Sequence, residues 1–184
     1  MAFEIDPIHS QVTFSVRHLM VSNVRGTFNV IRGHLHIDEQ NPANSWVDAE
    51  ADAASVNTRN EARDGHLRSA DFFEADKYPT LTFKSTSVEQ VEGPEYKVTG
   101  DLTMHGVTRP VTFAVEYHGQ NAHPQMGVRT GLTAKTRINR KDFGLTYGTM
   151  VESSQVVVSE NVNIEIDLEA IQTPDAAPKT TSVA

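Results

Sequence analysis

Residues 47–53 read VDAEADA, a stretch in which small apolar and acidic side chains alternate at every step. Successive side chains of a β-strand point to opposite faces, so this pattern predicts a strand with an acidic outer face and an apolar inner face. Val47, Ala49 and Ala51 are predicted to form the inner face. Side chains this small fill little volume, which favours a barrel with a cavity over a densely packed sandwich.

The same two-residue alternation recurs about eight times, from a run that begins near Val12 to one that ends near Leu168. Turn signals such as Gly93-Pro94 separate the runs. We therefore predict an all-β fold, an eight-stranded antiparallel lipocalin-like barrel with a short helical insertion. The alternation itself leaves open whether the barrel is hollow or filled by large side chains.

Two positions break the alternation. Phe28 and Val30 are predicted to point inward, whereas the apolar parity of that run then shifts to Leu35 and Ile37. Such a shift needs an extra residue, and Gly33 is the expected bulge.

Glu160 shares its parity with inward-facing valines. An unpaired buried carboxylate costs several kcal/mol, so we expect a bulge or a break of the strand there.

Residues 59–73 lack the alternation and contain several helix formers. We predict one or two short helices, with Ser69 or Asp71 available to cap a second turn. Two interpretations of Leu67 and Phe72 stay open at this point. Either they pack on the barrel as the apolar face of an amphipathic helix, or they cover a ligand at the mouth.

Composition limits the function. The formal net charge of −8 disfavours binding to nucleic acid and to anionic lipid surfaces. No window is apolar enough for a membrane span, and the start MAFEIDP lacks the features of a secretory signal, so we expect a cytoplasmic protein without stable membrane insertion. The length of 184 residues predicts one domain over residues 1–172 and a flexible tail over 173–184.

Candidate catalytic and metal-binding patterns are weak. His9 and Ser10 with Asp64 suggest a hydrolase triad, but neighbouring strand residues diverge and no G-x-S-x-G elbow is present. His34 and His36 share one strand face, which the parity of their neighbours turns outward, and two exposed histidines make a poor zinc site. We therefore predict no catalytic residue, no metal and no cofactor, and expect a protein that is not an enzyme.

Six segments, in one order and spacing across about residues 3–170, together resemble the YceI-like family of polyisoprenoid-binding, lipocalin-like proteins. They are IDPIHS (5–10), VRGTF (24–28), RDGHLRSADFF (63–73), YPTLTFKS (78–85), GDLTMHGVTRPV (100–111) and INRKDFGL (138–145). The resemblance implies an elongated channel that takes an isoprenoid, an isoprenoid quinone precursor or another amphiphilic chain, with the helical insertion near its mouth.

The leading hypothesis is a carrier or sequestering protein for such a chain. A second is a lipid-modifying hydrolase or isomerase that uses His9, His18, Asp64 or His66 at the mouth, and a third is a filled barrel that serves as an interaction module and forms a homodimer. For the first hypothesis the predicted ligand-binding residues are those expected on the inner face or in the insertion: Phe14, Val16, Phe28, Val30, Val47, Ala49, Ala51, Leu67, Phe72, Phe83, Leu102, Met104, Phe113, Leu132 and Ala134.

Overall fold

The chain forms a single antiparallel sheet that closes into a barrel. The computed structural model describes residues 1–148 and 157–174. Within these residues the strands are β1 (Ala2–Ile5), β2 (Gln11–His18), β3 (Ser22–Phe28), β4 (Ile31–His36), β5 (Trp46–Asp52), β6 (Val56–Asn57), β7 (Thr80–Glu92), β8 (Glu95–Met104), β9 (Val107–His123), β10 (Gly127–Asn139) and β11 (Val158–Gln172). The one α-helix among them is α1 (Glu61–Arg68), and short 3-10 turns lie at Pro42–Asn44, Ala53–Ser55 and Arg140–Phe143.

Eight long strands make up the barrel because three of them are interrupted. β1 and β2 lie one after the other along the same edge of β11. β4 pairs with β1 and β3 pairs with β2, so β3 and β4 act as the second long strand. β5 and β6 act as the third, because they pair with β4 and β3. All neighbours are antiparallel and β11 closes the ring, which confirms the predicted eight-stranded barrel.

The two ends of the barrel differ. β11 runs from the turn between β2 and β3 toward β1, and the direction of every other strand follows from the antiparallel pairing. We call these the β2–β3 end and the β1 end. At the β1 end, Phe3, Leu35 and Ala170 belong to a buried apolar cluster. A second cluster, around Phe143, lies toward the β2–β3 end on the opposite wall.

The chain changes face between β3 and β4. Phe28 ends β3 and Ile31 begins β4, both buried, and the linking Val30 is 43% exposed. The Ser55 hydroxyl accepts hydrogen bonds from the Asn29 and Val30 amides at 3.1 Å, which stabilises this break. The prediction that Val30 points inward is therefore wrong, because the two linking residues supply the change of parity.

Gly33 has another role than the predicted bulge. The pairing of β4 with β5 passes through Gly33 without a register shift, so the bulge prediction is wrong. A Cβ at this position would lie 2.4 Å from the carbonyl oxygen of Asp48. Glycine is therefore required by the close approach of the neighbouring strand.

Glu160 turns out of the barrel, as one of the two sequence-based alternatives expected. The register of β11 against β2 shifts between Val158 and Val162, so the three residues 159–161 lie opposite Arg17 alone, in a bulge that contains Glu160. Its carboxylate accepts a hydrogen bond from Lys141 Nζ at 3.1 Å. This contact lowers the pKa of Glu160 below its usual value.

The predicted helical insertion forms α1, which lies between β6 and β7. The Asn60 side chain caps its first turn by accepting a hydrogen bond from the Arg63 amide. The insertion has no second helix among the described residues, and Ser69 is the C-cap of α1. No described helix is long and apolar enough to cross a bilayer. Of the predicted tail, residue 173 is tied to β1 by a hydrogen bond from the Thr173 amide to the Ala2 carbonyl, and residues 175–184 lie outside the described part.

Candidate functional site: an elongated apolar cavity

The barrel encloses a cavity of about 520 Å³, within the range of roughly 300–1,000 Å³ that is usual for small-molecule sites. Its wall is formed by inward-facing apolar side chains from most strands of the barrel. Val16, Ile164 and Ile166 point inward and yet are only half-buried, because they face this space. Of the two alternatives that the sequence leaves open, the structure has the hollow barrel.

The cavity is much longer than it is wide. Along β11 its wall runs from Val158 to Leu168, and two of these ten steps are taken up by the bulge before Val162. The remaining eight steps give about 26 Å of strand at roughly 3.3 Å per residue. With the usual tilt of barrel strands, this corresponds to about 20 Å along the barrel axis. A sphere of the same volume would be only about 10 Å across. The shape therefore suits an extended chain better than a compact ligand.

Small residues keep the channel open. Ala49, Ala51 and Ala134 contribute only a methyl group each to the wall. A Cβ added to Gly26 would lie 2.4 Å from the Phe14 ring, and one added to Gly100 would lie 2.6 Å from the Phe83 ring. The absence of side chains at these two glycines lets the aromatic rings pack against the wall.

The mouth of the cavity lies beside α1. The His66, Phe72 and Tyr147 rings form a cluster there, with centroids 4.7 to 5.2 Å apart. Tyr147 is exposed, and all three residues line the cavity. His66 Nε2 is 2.8 Å from Asp71 Oδ2, on the turn that follows the helix. Aromatic and polar groups therefore meet where the apolar channel opens to water.

Hydrogen bonds fix the helix at this mouth. The buried Asp64 carboxylate accepts hydrogen bonds from the Thr58 amide at 2.8 Å and from its hydroxyl at 2.5 Å. Arg63 Nε donates to the same hydroxyl, and Arg63 Nη2 donates to the Thr58 carbonyl. Asp64, Thr58 and Arg63 thus anchor the start of α1 to the end of β6.

A buried arginine supports the wall near the β2–β3 end. Arg140 is 4% exposed and lines the cavity. Its guanidinium donates to three backbone carbonyls, those of Leu145, Val158 and Ser159, at 2.7 to 3.0 Å. Burial lowers the pKa of Arg140, and the charge of Glu160 opposes that shift. Sequence reasoning does not identify this residue, because INRKDFG reads as a polar turn.

One group of potential metal ligands lies at the barrel seam. Asp6, His9 and Glu169 have ligand atoms within 4.8 Å of one another. However, Arg129 Nη1 donates to both carboxylates, and His9 Nδ1 lies 2.9 Å from Asp6 Oδ2. The guanidinium already supplies the positive charge, so the geometry describes an ion-pair cluster in which a metal would have to displace Arg129.

The structure brings together nearly all the predicted ligand-binding residues. Val30 lies outside the cavity because of the break after β3. That the others contact a ligand stays a prediction, but all of them line the cavity: Phe14, Val16, Phe28, Val47, Ala49, Ala51, Leu67, Phe72, Phe83, Leu102, Met104, Phe113, Leu132 and Ala134. Ile164, Ile166 and Leu168 of β11 also line the cavity and are absent from the predicted set. Their alternation is visible in the sequence, but the pairing of β11 with β2 and β10 is not.

The residues of the hydrolase hypothesis have other partners. Ser10 Oγ donates to the Glu169 carbonyl and accepts from the Glu169 amide. His9 contacts Asp6, and Asp64 binds Thr58. His34 is exposed, as predicted, and the His36 ring stacks on Trp46. The described contacts thus assign structural roles to these side chains.

Comparison with known proteins gives a consistent result. The family model for the YceI-like domain matches residues 3–170. Protein YceI of Escherichia coli O157:H7 is 40% identical over 164 residues, which cover 89% of this chain and 82% of that protein.

Solved structures share the fold. BcnA of Burkholderia cenocepacia superposes with a TM-score of 0.80 at 24% identity, covering 90% of this chain and 98% of BcnA. A polyisoprenoid binding domain from Saccharophagus degradans superposes with a TM-score of 0.68 at 19% identity, covering 93% of this chain and 98% of that domain. At these identities the likeness is one of architecture.

Proposed function

Since the chain belongs to the YceI-like family, we propose that its barrel binds one long apolar or amphiphilic chain, of the polyisoprenoid class, and carries or sequesters it. The observation that carries this proposal is the elongated apolar cavity. The name of the Saccharophagus degradans domain, a polyisoprenoid binding domain with the same architecture, supports the ligand class.

The distribution of apolar and polar side chains supports binding of a chain with a polar head. The cavity wall is apolar for most of its length, from Leu132 and Leu168 near the β1 end to Ile138 and Val162 toward the mouth. The titratable residues that also line the cavity are His18, Glu50, Arg63, His66 and Arg140, of which His18, Arg63 and His66 lie toward the mouth. Each CH₂ group moved from water into this wall contributes about 0.8 kcal/mol, so affinity comes mainly from the length of the buried chain.

Binding rather than turnover is the function that the polar groups favour. Arg63 is held by Thr58, His66 contacts Asp71, and Arg140 donates to three carbonyls. A general base needs to reach the proton that it abstracts, and these groups are engaged in holding the mouth together. We therefore propose that the polar groups orient the head of the ligand.

The test is native mass spectrometry of protein purified without detergent from its own host, followed by extraction into organic solvent. We expect a co-purifying lipid with a long apolar chain, at a ratio of one per barrel. A protein that carries no lipid and binds none after incubation with prenols would contradict the proposal.

Chain length provides a sharper measurement on the delipidated protein. Prenols of two, four and eight isoprene units are titrated against a bound fluorescent lipophile. We expect affinity to rise at least tenfold from the shortest to the four-unit chain, because more apolar surface enters the channel. Equal affinity for all three would show that the channel is not the binding site, and hydrolysis or isomerisation of an added prenyl ester would favour the enzyme hypothesis.

A further inference from the structure

The turn between β2 and β3 exposes three consecutive apolar side chains, Leu19, Met20 and Val21, which we call the hairpin tip. Val21 is 78% exposed, and the other two are exposed as well. Leu19 and Met20 have φ values of 47° and 58°, a conformation that costs energy for residues with a side chain. A strained turn that presents apolar groups to water indicates a contact that these groups make elsewhere.

A group of arginines, the arginine collar, lies just behind this tip on the outer face of the barrel. Arg25 is paired across to Ser15, Ser15 to Asn163, and Asn163 to Arg137, so these four residues form one row. Arg17 is one step closer to the tip, opposite Asn23.

No ion pair neutralises the collar among the described residues. Glu165, one row further from the tip on the same outer face of β11, is paired with Lys135. Arg17, Arg25 and Arg137 are exposed, and none forms an ion pair with another described residue. The sequence has no Asp or Glu from position 7 to position 37. The β2–β3 hairpin is therefore locally cationic in a chain whose net charge is −8.

The hairpin tip lies next to the mouth of the cavity. The Leu19 amide donates to the Val157 carbonyl at 2.9 Å. His18 and Val24, which flank the tip in the hairpin, line the cavity, as does Val157. A surface that receives the tip would therefore face the opening through which a chain enters.

We propose that the hairpin tip inserts into the surface of an anionic lipid bilayer while the arginine collar contacts the headgroups, so that the mouth opens onto the membrane. This inference rests on the proposed function, because it describes how a lipid chain reaches the cavity. The net charge of the protein does not prevent it: the Debye length is about 8 Å at physiological ionic strength, so the collar acts on nearby headgroups while more distant carboxylates are screened.

The experiment follows co-sedimentation of the delipidated protein with vesicles. We expect binding to phosphatidylcholine vesicles that contain about 30 mol% phosphatidylglycerol, and little binding to phosphatidylcholine alone. Binding should weaken when the NaCl concentration is raised, because the collar contribution is electrostatic. Equal binding to both vesicle types, or none to either, would overturn the inference.

Insertion of the tip is measured separately with a fluorophore attached to an introduced cysteine. The chain contains no cysteine of its own, so the label goes to the chosen position. Val21→Cys carries a polarity-sensitive fluorophore such as acrylodan, and Val91→Cys at the β1 end is the matched control, since Val91 is also exposed and apolar. We expect a blue shift of emission with anionic vesicles at position 21 and none at position 91. The same shift at both positions, or at position 91 alone, would contradict docking through the tip.

Variants separate the two components of the surface. The double change Met20→Ser and Val21→Ser should remove insertion, and Arg17→Gln or Arg25→Gln should weaken vesicle binding by about fivefold each. Val91→Ser with Met126→Ser, at turns of the β1 end, should leave it unchanged. Unchanged vesicle binding in the tip variant would overturn the inference.

Two further readouts keep this inference distinct from the proposed function. Binding of a soluble fluorescent lipophile should be the same in the tip variant and in the natural chain. If neither protein binds the lipophile, the result counts against the proposed function alone. Analytical ultracentrifugation without lipid tests a second copy of the chain as the occupant. A dimer that disappears in the tip variant would show that the tip is a protein interface and overturn membrane docking.

Discussion

Asp6 and Arg129 are 123 positions apart in the chain, yet Arg129 Nη1 donates to Asp6 Oδ2 at 2.8 Å. The Asp6 side chain is 7% exposed, and it also accepts a hydrogen bond from the Ile8 amide and contacts His9. Arg129 lies on β10 and also contacts Glu169 on β11. The pair therefore joins the end of β1 to β10 and β11, at the seam where β1 pairs with β11 and closes the barrel.

Removal of this charge should destabilise the closed barrel. Asp6→Asn keeps the size of the side chain but loses the ionic hydrogen bonds to Arg129 and His9, each of which is worth about 1.5–3 kcal/mol. Because Glu169 continues to partner Arg129, we expect a loss of about 2–3 kcal/mol in the free energy of unfolding, measured with urea. Asp48→Asn, which breaks an exposed ion pair with Lys84, is the control and should cost less than about 1 kcal/mol. Equal effects of the two changes would refute a special role of the seam.

The same pair makes stability depend on pH. His9 and Arg129 hold the pKa of Asp6 well below its usual value. A carboxyl group with a depressed folded-state pKa stabilises the fold fully above its unfolded pKa of about 3.9, and this contribution is lost as the pH falls toward the folded-state pKa. We therefore expect the difference in unfolding free energy between the natural chain and Asp6→Asn to be constant near neutral pH and to shrink below about pH 4. A difference that grows on acidification would have the wrong sign.

Arg140 should be important for the wall of the cavity. Arg140→Met removes a cation that donates to the Leu145, Val158 and Ser159 carbonyls and leaves these groups without that donor. We expect a loss of about 2–4 kcal/mol in the free energy of unfolding, measured with urea. Arg140→Lys should recover only part of it, because an ammonium cannot reproduce the planar guanidinium geometry. The neighbouring Lys141→Met, which breaks an exposed pair with Glu160, should change stability by less than about 1 kcal/mol.

The period-two pattern predicts most of the fold because each barrel strand has one wet and one inward face. It gives the eight strands and the inward parity of residues such as Ala49 and Phe113. From the cost of burying a carboxylate it predicts an irregularity at Glu160, either a bulge or a break, and the structure has the bulge. It fails at Val30, because a change of parity says only that a residue is added somewhere, and a break after Phe28 satisfies it as well as a bulge at Gly33.

Long-range contacts are the part of the site that the pattern does not contain. Arg129 and Arg140 read as ordinary polar residues, since their partners come from distant segments or from backbone carbonyls. The arginine collar has the same origin, because Arg137 reaches the row of Arg25 only through the pairing of β10, β11, β2 and β3. Strand register, which sequence alternation does not give, creates these groups.

Ala51 marks where the wall becomes a packed core. It is 8% exposed and belongs to the cluster of Phe3, Ile31 and Leu35, although it also lines the cavity. We expect Ala51→Phe to overpack this cluster and to destabilise the delipidated protein by about 1–3 kcal/mol. An unchanged unfolding free energy would show that free space continues to this position.

Ala49, two positions earlier on the same strand, faces the open channel. The most direct test of the chain-binding cavity is Ala49→Phe, compared with Ala114→Phe on the outer face of β9. Both the unfolding free energy and prenol affinity are measured on delipidated protein, because bound ligand itself stabilises the fold. We expect the Ala49 variant to keep its unfolding free energy within about 1 kcal/mol and to lose at least tenfold in affinity, as the ring occupies ligand space, while Ala114→Phe changes neither. A stable Ala49→Phe protein that binds prenols as tightly as the natural chain would contradict the account.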